Sequence, residues 1–97
     1  MSQNPYCMPI NDFMEMNGFY LEQTGGGCTA YTKVLNDGKY NGFYIMITDN
    51  EDGCVAPNEV INPVLVGLYD LNGYASESFI ATDSLDAIQA IHANGWR

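Results

Sequence analysis

Turn signals divide this chain into short segments. A run of three glycines occupies positions 25–27, Asn-Asp-Gly occupies 36–38, and Asn-Gly occupies 72–73. Glycine tolerates positive φ, and Asn and Asp bond their own backbone, so such runs commonly join antiparallel strands. The segments between them suit strands better than helices because they are short. The spacing therefore predicts a sheet built largely from hairpins.

Apolar patterning predicts four to five strands around these turns. The segments are residues 19–23, 28–35, 43–48, 64–70 and 76–81. Residues 49–53 are expected to form a charged turn, and the roughly dozen residues after it are expected to form an irregular excursion, marked by Pro57, Asn58, Asn62 and Pro63. Phe43, Ile45 and Ile47 alternate along their strand and should face the core. The segment 64–70 is almost continuously apolar, which predicts a central strand covered on both sides.

Two helices are predicted, one toward each end of the chain. The first spans residues 11–17, with Asn11 as its N-cap and Gly18 as its stop. The second begins at Asp83 or Ser84 and is terminated by Gly95. Its apolar residues recur every three positions and predict a narrow stripe that packs on one face of a sheet: Leu85, Ile88 and Ile91.

These elements predict a single α+β domain over residues 1–97. We expect an antiparallel sheet of four to five strands, a short N-terminal helix, and a C-terminal helix packed on one face.

Cysteine usage predicts reduced thiols. Cys7, Cys28 and Cys54 are odd in number and widely separated, which fits neither a disulfide framework nor a zinc pair. We expect Cys28 and Cys54 to be small buried residues beside strands and Cys7 to be exposed. The chain also lacks an apolar run long enough for a membrane span, and its N-terminus lacks the basic and apolar segments of a secretory signal peptide. These two features predict a cytoplasmic protein.

Twelve acidic residues against three basic ones give the chain a net charge of −9. Negative potential repels nucleic acid and membrane phosphate and attracts basic surfaces. The expected partner is therefore a Lys/Arg-rich protein or nucleoprotein complex, with no direct nucleic-acid or membrane binding. A homodimer is compatible with the sequence.

The expected partner-binding residues lie mainly in the longest charged turn and the excursion that follows it. The primary set comprises Asp49, Glu51, Asp52 and Glu59. Further acids and two turn tyrosines, whose rings and hydroxyls suit an interface, complete the prediction: Asp37, Asp70, Glu77, Tyr40 and Tyr74.

No catalytic, metal or cofactor site is predicted. His92 is the only histidine and falls in the last turn of the second helix, where it suits the helix dipole better than catalysis. The acidic run 49–53 has its glycine at the fifth position, whereas an EF-hand loop needs it at the sixth. The glycines at 25–27 lack the Gly-Lys-Ser/Thr ending of a phosphate loop. We therefore expect a protein that is not an enzyme.

Several short motifs suggest a context for the chain. They are Gly-Gly-Gly-Cys-Thr-Ala at 25–30, Ile-Thr-Asp at 47–49, Ala-Pro at 56–57, Val-Gly-Leu-Tyr-Asp at 66–70 and Asp-Ser-Leu at 83–85. With them, the stretch 25–90 resembles small acidic proteins of phages and mobile elements. The resemblance carries no catalytic residue. It implies an anti-CRISPR or other anti-defence inhibitor that presents acidic groups to the Lys/Arg surface of a nuclease complex.

The leading hypothesis is a non-enzymatic inhibitor that mimics nucleic acid on the basic surface of a host defence complex. One alternative is a phage accessory or structural interaction module with an apolar dimer or assembly interface. Another is a small-ligand-binding protein that uses the glycines at 25–27. Salt separates the first two, because an electrostatic contact weakens with ionic strength and an apolar one does not.

Overall fold

The structure, a computed structural model, describes residues 4–96. Five strands form one antiparallel sheet in the order of the chain: β1 (Tyr20–Gly25), β2 (Cys28–Val34), β3 (Tyr44–Asp49), β4 (Val64–Tyr69) and β5 (Ala75–Ala81). Helix α1 (Ile10–Met16) precedes the sheet and helix α2 (Ser84–Ala93) follows it. Single 3-10 turns cover Pro5–Cys7 and Gly38–Tyr40. The predicted α+β fold is confirmed.

The glycine turn at 25–27 closes the first hairpin as predicted. Gly25, Gly26 and Gly27 have φ values of 104°, 61° and 81°, a region that side chains disfavour. The pairing shifts by one residue between Gln23 and Gly25, so β1 meets β2 with an irregularity beside the turn.

The N-cap predicted for α2 is confirmed, whereas the N-cap predicted for α1 is not. Asp83 caps α2, and its side chain accepts a hydrogen bond from the backbone N–H of Asp86 at 2.7 Å. Helix α1 follows Pro9, whose φ of −55° already suits a helix start, and no side chain caps it. The prediction of Asn11 as N-cap is therefore wrong. Its side-chain amide instead donates to the Glu15 carboxylate at 3.0 Å.

The core lies between one face of the sheet and the two helices. Cross-strand register aligns Tyr31, Ile47 and Val66, all of which are buried. Buried side chains of both helices and of the C-terminal residues join them: Phe13, Met14, Ala87, Ile88, Ile91 and Trp96. Ile45 and Ile47 face this core as predicted, and Phe43 packs against its margin.

The opposite face of the sheet is covered by no helix within residues 4–96. β4 lies between β3 and β5, so its central position is confirmed. Leu65 and Tyr69, which point to this opposite face, are only half-buried. The expectation of cover on both sides of β4 is therefore wrong. The Tyr69 ring lies over Gly67, and side chains of the sheet itself supply the partial burial on this face.

Cys28 and Cys54 form a disulfide, with their Cα atoms 4.5 Å apart. The prediction of reduced thiols is wrong for these two residues because the β3–β4 connection folds back onto the start of β2. Cys7 is free and exposed, as predicted. No helix of the described residues is both long and apolar enough to cross a membrane.

Candidate functional site

Six carboxylates lie at one end of the sheet, which we name the acidic end. β3 and β5 both finish there, so the long connection 50–63 and the start of α2 are neighbours at this end. The backbone N–H of Ser84 donates to the carbonyl of Val60 at 2.8 Å and joins the two. The acidic end comprises Asp49, Glu51, Asp52, Glu59, Asp83 and Asp86.

The connection 50–63 is held at several points along its length. The Cys28–Cys54 disulfide ties it to β2, and the N–H of Thr29 donates to the carbonyl of Cys54 at 2.9 Å. The Thr29 hydroxyl in turn accepts from the N–H of Ala56 at 3.1 Å. Val60 is buried in the core. These contacts fix the backbone that carries the carboxylates of this connection, which lowers the backbone entropy that a partner must remove on binding.

Three of these six carboxylates also stabilise their own backbone. Asp52 accepts from the N–H of Cys54 at 3.0 Å, and Asp86 accepts from the N–H and hydroxyl of Thr82 at 3.2 and 3.3 Å. Asp83 caps α2 and accepts from the Tyr6 hydroxyl at 3.1 Å. This hydrogen bond raises the pKa of Tyr6, because ionising the hydroxyl would remove the donor and place two negative charges together.

The remaining carboxylates of the acidic end are available for a partner. Glu51 and Glu59 are exposed, and Asp49 is half-buried at the end of β3. Together with Asp52 they are the four primary residues predicted from the sequence, and all four lie at the acidic end, Asp49 at the end of β3 and the other three on the connection 50–63. Asp83 and Asp86 were missed as members of this group, since only the strand order shows that α2 starts beside the connection.

The secondary acids lie elsewhere. Asp37 accepts from the N–H of Gly38 at 2.8 Å, and Asp70 accepts from the N–H groups of Asn72 and Tyr74 at 2.9 and 3.0 Å. Both stabilise turns at the opposite end of the sheet. Glu77 is exposed on β5, where its register partner is Leu68. The structure therefore does not bring these three residues to the acidic end.

The two predicted interface tyrosines differ in exposure. Tyr40 is half-buried and packs edge-on against Phe43, with ring centroids 5.5 Å apart. Its ring also faces the Lys39 ammonium at 5.3 Å. Tyr74 is 71% exposed in the β4–β5 turn. Tyr74 thus has the accessible ring that an interface needs, whereas Tyr40 mainly stabilises its own loop.

Neither lysine of the described residues lies at the acidic end. The Lys33 ammonium is 5.8 Å from the centre of the Phe19 ring and donates to the carbonyl of Asn17 at 3.5 Å. Lys39 stands over Tyr40 in the β2–β3 connection. Both positions belong to the opposite end of the sheet, so neither lysine offsets the six carboxylates. A basic surface that approaches this end meets an attractive field.

His92 is exposed in the last turn of α2, the position predicted for it. Within residues 4–96, no three His, Cys, Asp or Glu side chains are grouped so that they could hold a metal ion. The glycines at 25–27 form the exposed tip of the β1–β2 hairpin.

A second candidate surface is the uncovered side of the sheet, which we name the open face. Its larger apolar and aromatic residues are Tyr20, Val34, Tyr44, Met46, Leu65, Tyr69 and Ile80. Tyr44 and Tyr69 stack with ring centroids 5.2 Å apart and planes 12° from parallel. Beside them lies a shallow depression of about 490 Å³ that reaches Glu22 on the edge strand β1. The sequence did not distinguish this face, because its apolar residues are spread over all five strands.

Comparison with protein families, with curated proteins and with solved structures finds no match to this chain.

Proposed function

We propose that this protein is a non-enzymatic inhibitor whose acidic end occupies the Lys/Arg-rich, nucleic-acid-binding surface of another protein. The proposal rests on one observation: six carboxylates lie at one end of the sheet, and three of them are on the connection 50–63, which a disulfide and backbone hydrogen bonds hold in place. The partner class that suits it is the nucleoprotein complex of a host defence system, as for anti-CRISPR inhibitors.

Carboxylates replace phosphates on such a surface by forming charge-assisted hydrogen bonds with Lys and Arg. The net charge of −9 steers the two proteins together and favours rapid association. Exposed Glu51 and Glu59 have no competing side-chain hydrogen bond within residues 4–96, so they are the residues best able to reach a partner.

A host defence complex places the site of action in the cytoplasm, where glutathione keeps most thiols reduced. The proposal therefore requires the acidic end to keep its shape when the Cys28–Cys54 bond is open. In that state the connection would have to be held by the backbone hydrogen bonds from Thr29 to Cys54 and from Ser84 to Val60.

Neutralisation of the four primary acids tests the proposal. The acidic-end variant carries Asp49→Asn, Glu51→Gln, Asp52→Asn and Glu59→Gln, and Asn at position 52 keeps the oxygen that accepts from Cys54. A matched control variant removes the same charge elsewhere on the surface, through Asp12→Asn, Glu15→Gln, Glu22→Gln and Glu77→Gln. Exposed charges contribute little to stability, so both variants should fold.

Binding is measured on the basic protein that the wild type captures from a host lysate, by competition with labelled DNA over a series of NaCl concentrations. We expect the acidic-end variant to bind at least about tenfold more weakly, with a flatter salt dependence, and the control to lose much less. Equal losses in both variants would assign the effect to net charge rather than to the acidic end. A wild type that does not compete with DNA would contradict nucleic-acid mimicry.

A further inference from the structure

The open face exposes apolar surface that a folded monomer leaves in contact with water. Tyr20 is 56%, Val34 59% and Ile80 65% exposed, and these residues come from three different strands. Tyr44, Met46 and Tyr69 are half-buried between them. Exposed apolar residues grouped on one face of a sheet are typical of a surface that binds another protein.

The centre of the open face is closely packed. A Cβ atom added at Gly67 would lie 2.8 Å from the Cε1 atom of Tyr69, so the tyrosine ring rests directly on the glycine backbone. The same ring stacks on Tyr44. Aromatic rings held in this way add contact area without losing much conformational entropy on binding.

The open face is also nearly free of charge. Of the acidic residues on the strands, only Glu22 points to this side, and it lies on the edge strand β1. Asp49 and Glu77 align with core-facing residues of their neighbours, and the other acids belong to loops, turns or helices. A basic partner thus finds little to recognise here, whereas a second copy of the same neutral, aromatic surface can approach without burying carboxylates.

We infer that the open face packs against the open face of a second copy and forms a two-fold symmetric dimer. Five strands spaced about 4.8 Å apart, each of about six residues at about 3.4 Å, span about 24 by 20 Å. Two such faces bury about 1,000 Å² together, which is the lower limit for a specific interface. The dimer is therefore weak, with a dissociation constant on the order of micromolar or higher.

Charge selects the orientation of the two copies. A two-fold axis that runs across the strands places the two acidic ends at opposite ends of the dimer. The alternative axis, along the strands, brings twelve carboxylates to the same end, where they repel. The first arrangement leaves both acidic ends accessible. The dimer is thus independent of the proposed inhibition and would make the inhibitor bivalent.

Sedimentation velocity over a range of protein and NaCl concentrations tests the dimer. We expect the mass to rise toward twice that of the monomer as protein concentration increases. Dimerisation should strengthen with salt, because screening reduces the repulsion between two chains of charge −9. The proposed complex with a basic partner has the opposite salt dependence, so the two interactions can fail independently.

Two matched variants locate the interface. Val34→Glu places a carboxylate on the open face, and Met16→Glu places the same charge on α1, at a side chain that is 71% exposed. Val34→Glu should weaken dimerisation at least about tenfold, because the charge is buried when the faces meet, and Met16→Glu should not. Tyr20→Ser, on the edge strand, is a second open-face variant that adds no charge and should also weaken the dimer.

Circular dichroism of each variant confirms that it is folded before association is compared. A wild type that stays monomeric at every protein and salt concentration would overturn the inference. Equal dimerisation of Val34→Glu and Met16→Glu would also overturn it, because the interface would then lie elsewhere. A monomeric wild type whose binding to the captured basic protein is weakened by Val34→Glu would assign the open face to that partner instead.

Discussion

Removal of the Cys28–Cys54 disulfide should cost this domain a large part of its stability. The bond joins residues separated by 26 positions. In the chain-entropy description, closing a loop of that size removes about 12 cal/mol/K from the unfolded chain, which corresponds to about 3.5 kcal/mol at 25 °C. The free energy of unfolding of a domain of this size is about 5–15 kcal/mol in total, so the loss should be easy to measure.

The measurement is urea unfolding, made in a Cys7→Ser background so that no exposed thiol can exchange. We expect Cys28→Ser with Cys54→Ser to lower the free energy of unfolding by about 2–4 kcal/mol. A reductant should destabilise the disulfide-bearing protein and leave the double variant unchanged. Cys7→Ser alone should have no effect, because Cys7 is exposed.

Two outcomes would refute this reasoning. One is a loss below about 1 kcal/mol, which would mean that the bond does not restrict the unfolded chain as described. The other is alkylation of three cysteines rather than one in the native, unreduced protein, which would restore the free thiols that the cysteine spacing predicts.

Two further predictions concern the sheet. Gly67→Ala should lower the free energy of unfolding by about 1–3 kcal/mol and weaken the dimer, because the new methyl group displaces the Tyr69 ring. Gly53→Ala is the control, since a Cβ atom there meets no atom within 4 Å, and it should change the free energy of unfolding in urea by no more than about 0.5 kcal/mol. Burial, and then the charge of Glu15, raise the pKa of Tyr31, so its stabilising contribution is complete below the ordinary tyrosine pKa of about 10 and is lost as pH rises through the higher folded value. Urea unfolding at about pH 9 and about pH 11 should therefore show a larger loss for the wild type than for Tyr31→Phe, and equal losses would contradict the assignment.

Most of the fold was predictable because its signals are local. The strands are short apolar segments between glycine or Asn/Asp turns, and all five lie within a few residues of their predicted positions. Helix α2 was predicted as well, because the capping side chain of Asp83 is followed directly by an apolar stripe with helical spacing. The start of α1 was not, since both Asn11 and Pro9 suit a helix N-terminus and nothing local decides between them.

The features that were not predicted depend on tertiary proximity. Cys28 and Cys54 become neighbours only because the β3–β4 connection returns to the start of β2, and their spacing in the chain carries no sign of this. The continuous apolar run of β4 predicts cover on both faces, but it does not show which elements supply that cover. Here a helix layer covers one face, and stacked tyrosines partly cover the other.

The strand order β1-β2-β3-β4-β5 also bears on how this chain can fold while it is synthesised. Each strand pairs with the strand synthesised immediately before it, so the partner of every new strand is already part of the growing chain. Local pairing of this kind avoids long searches for distant partners and favours rapid folding. Helix α2 follows all five strands in the chain, so its apolar stripe docks on strands that precede it. The sheet can therefore grow one strand at a time, in step with synthesis.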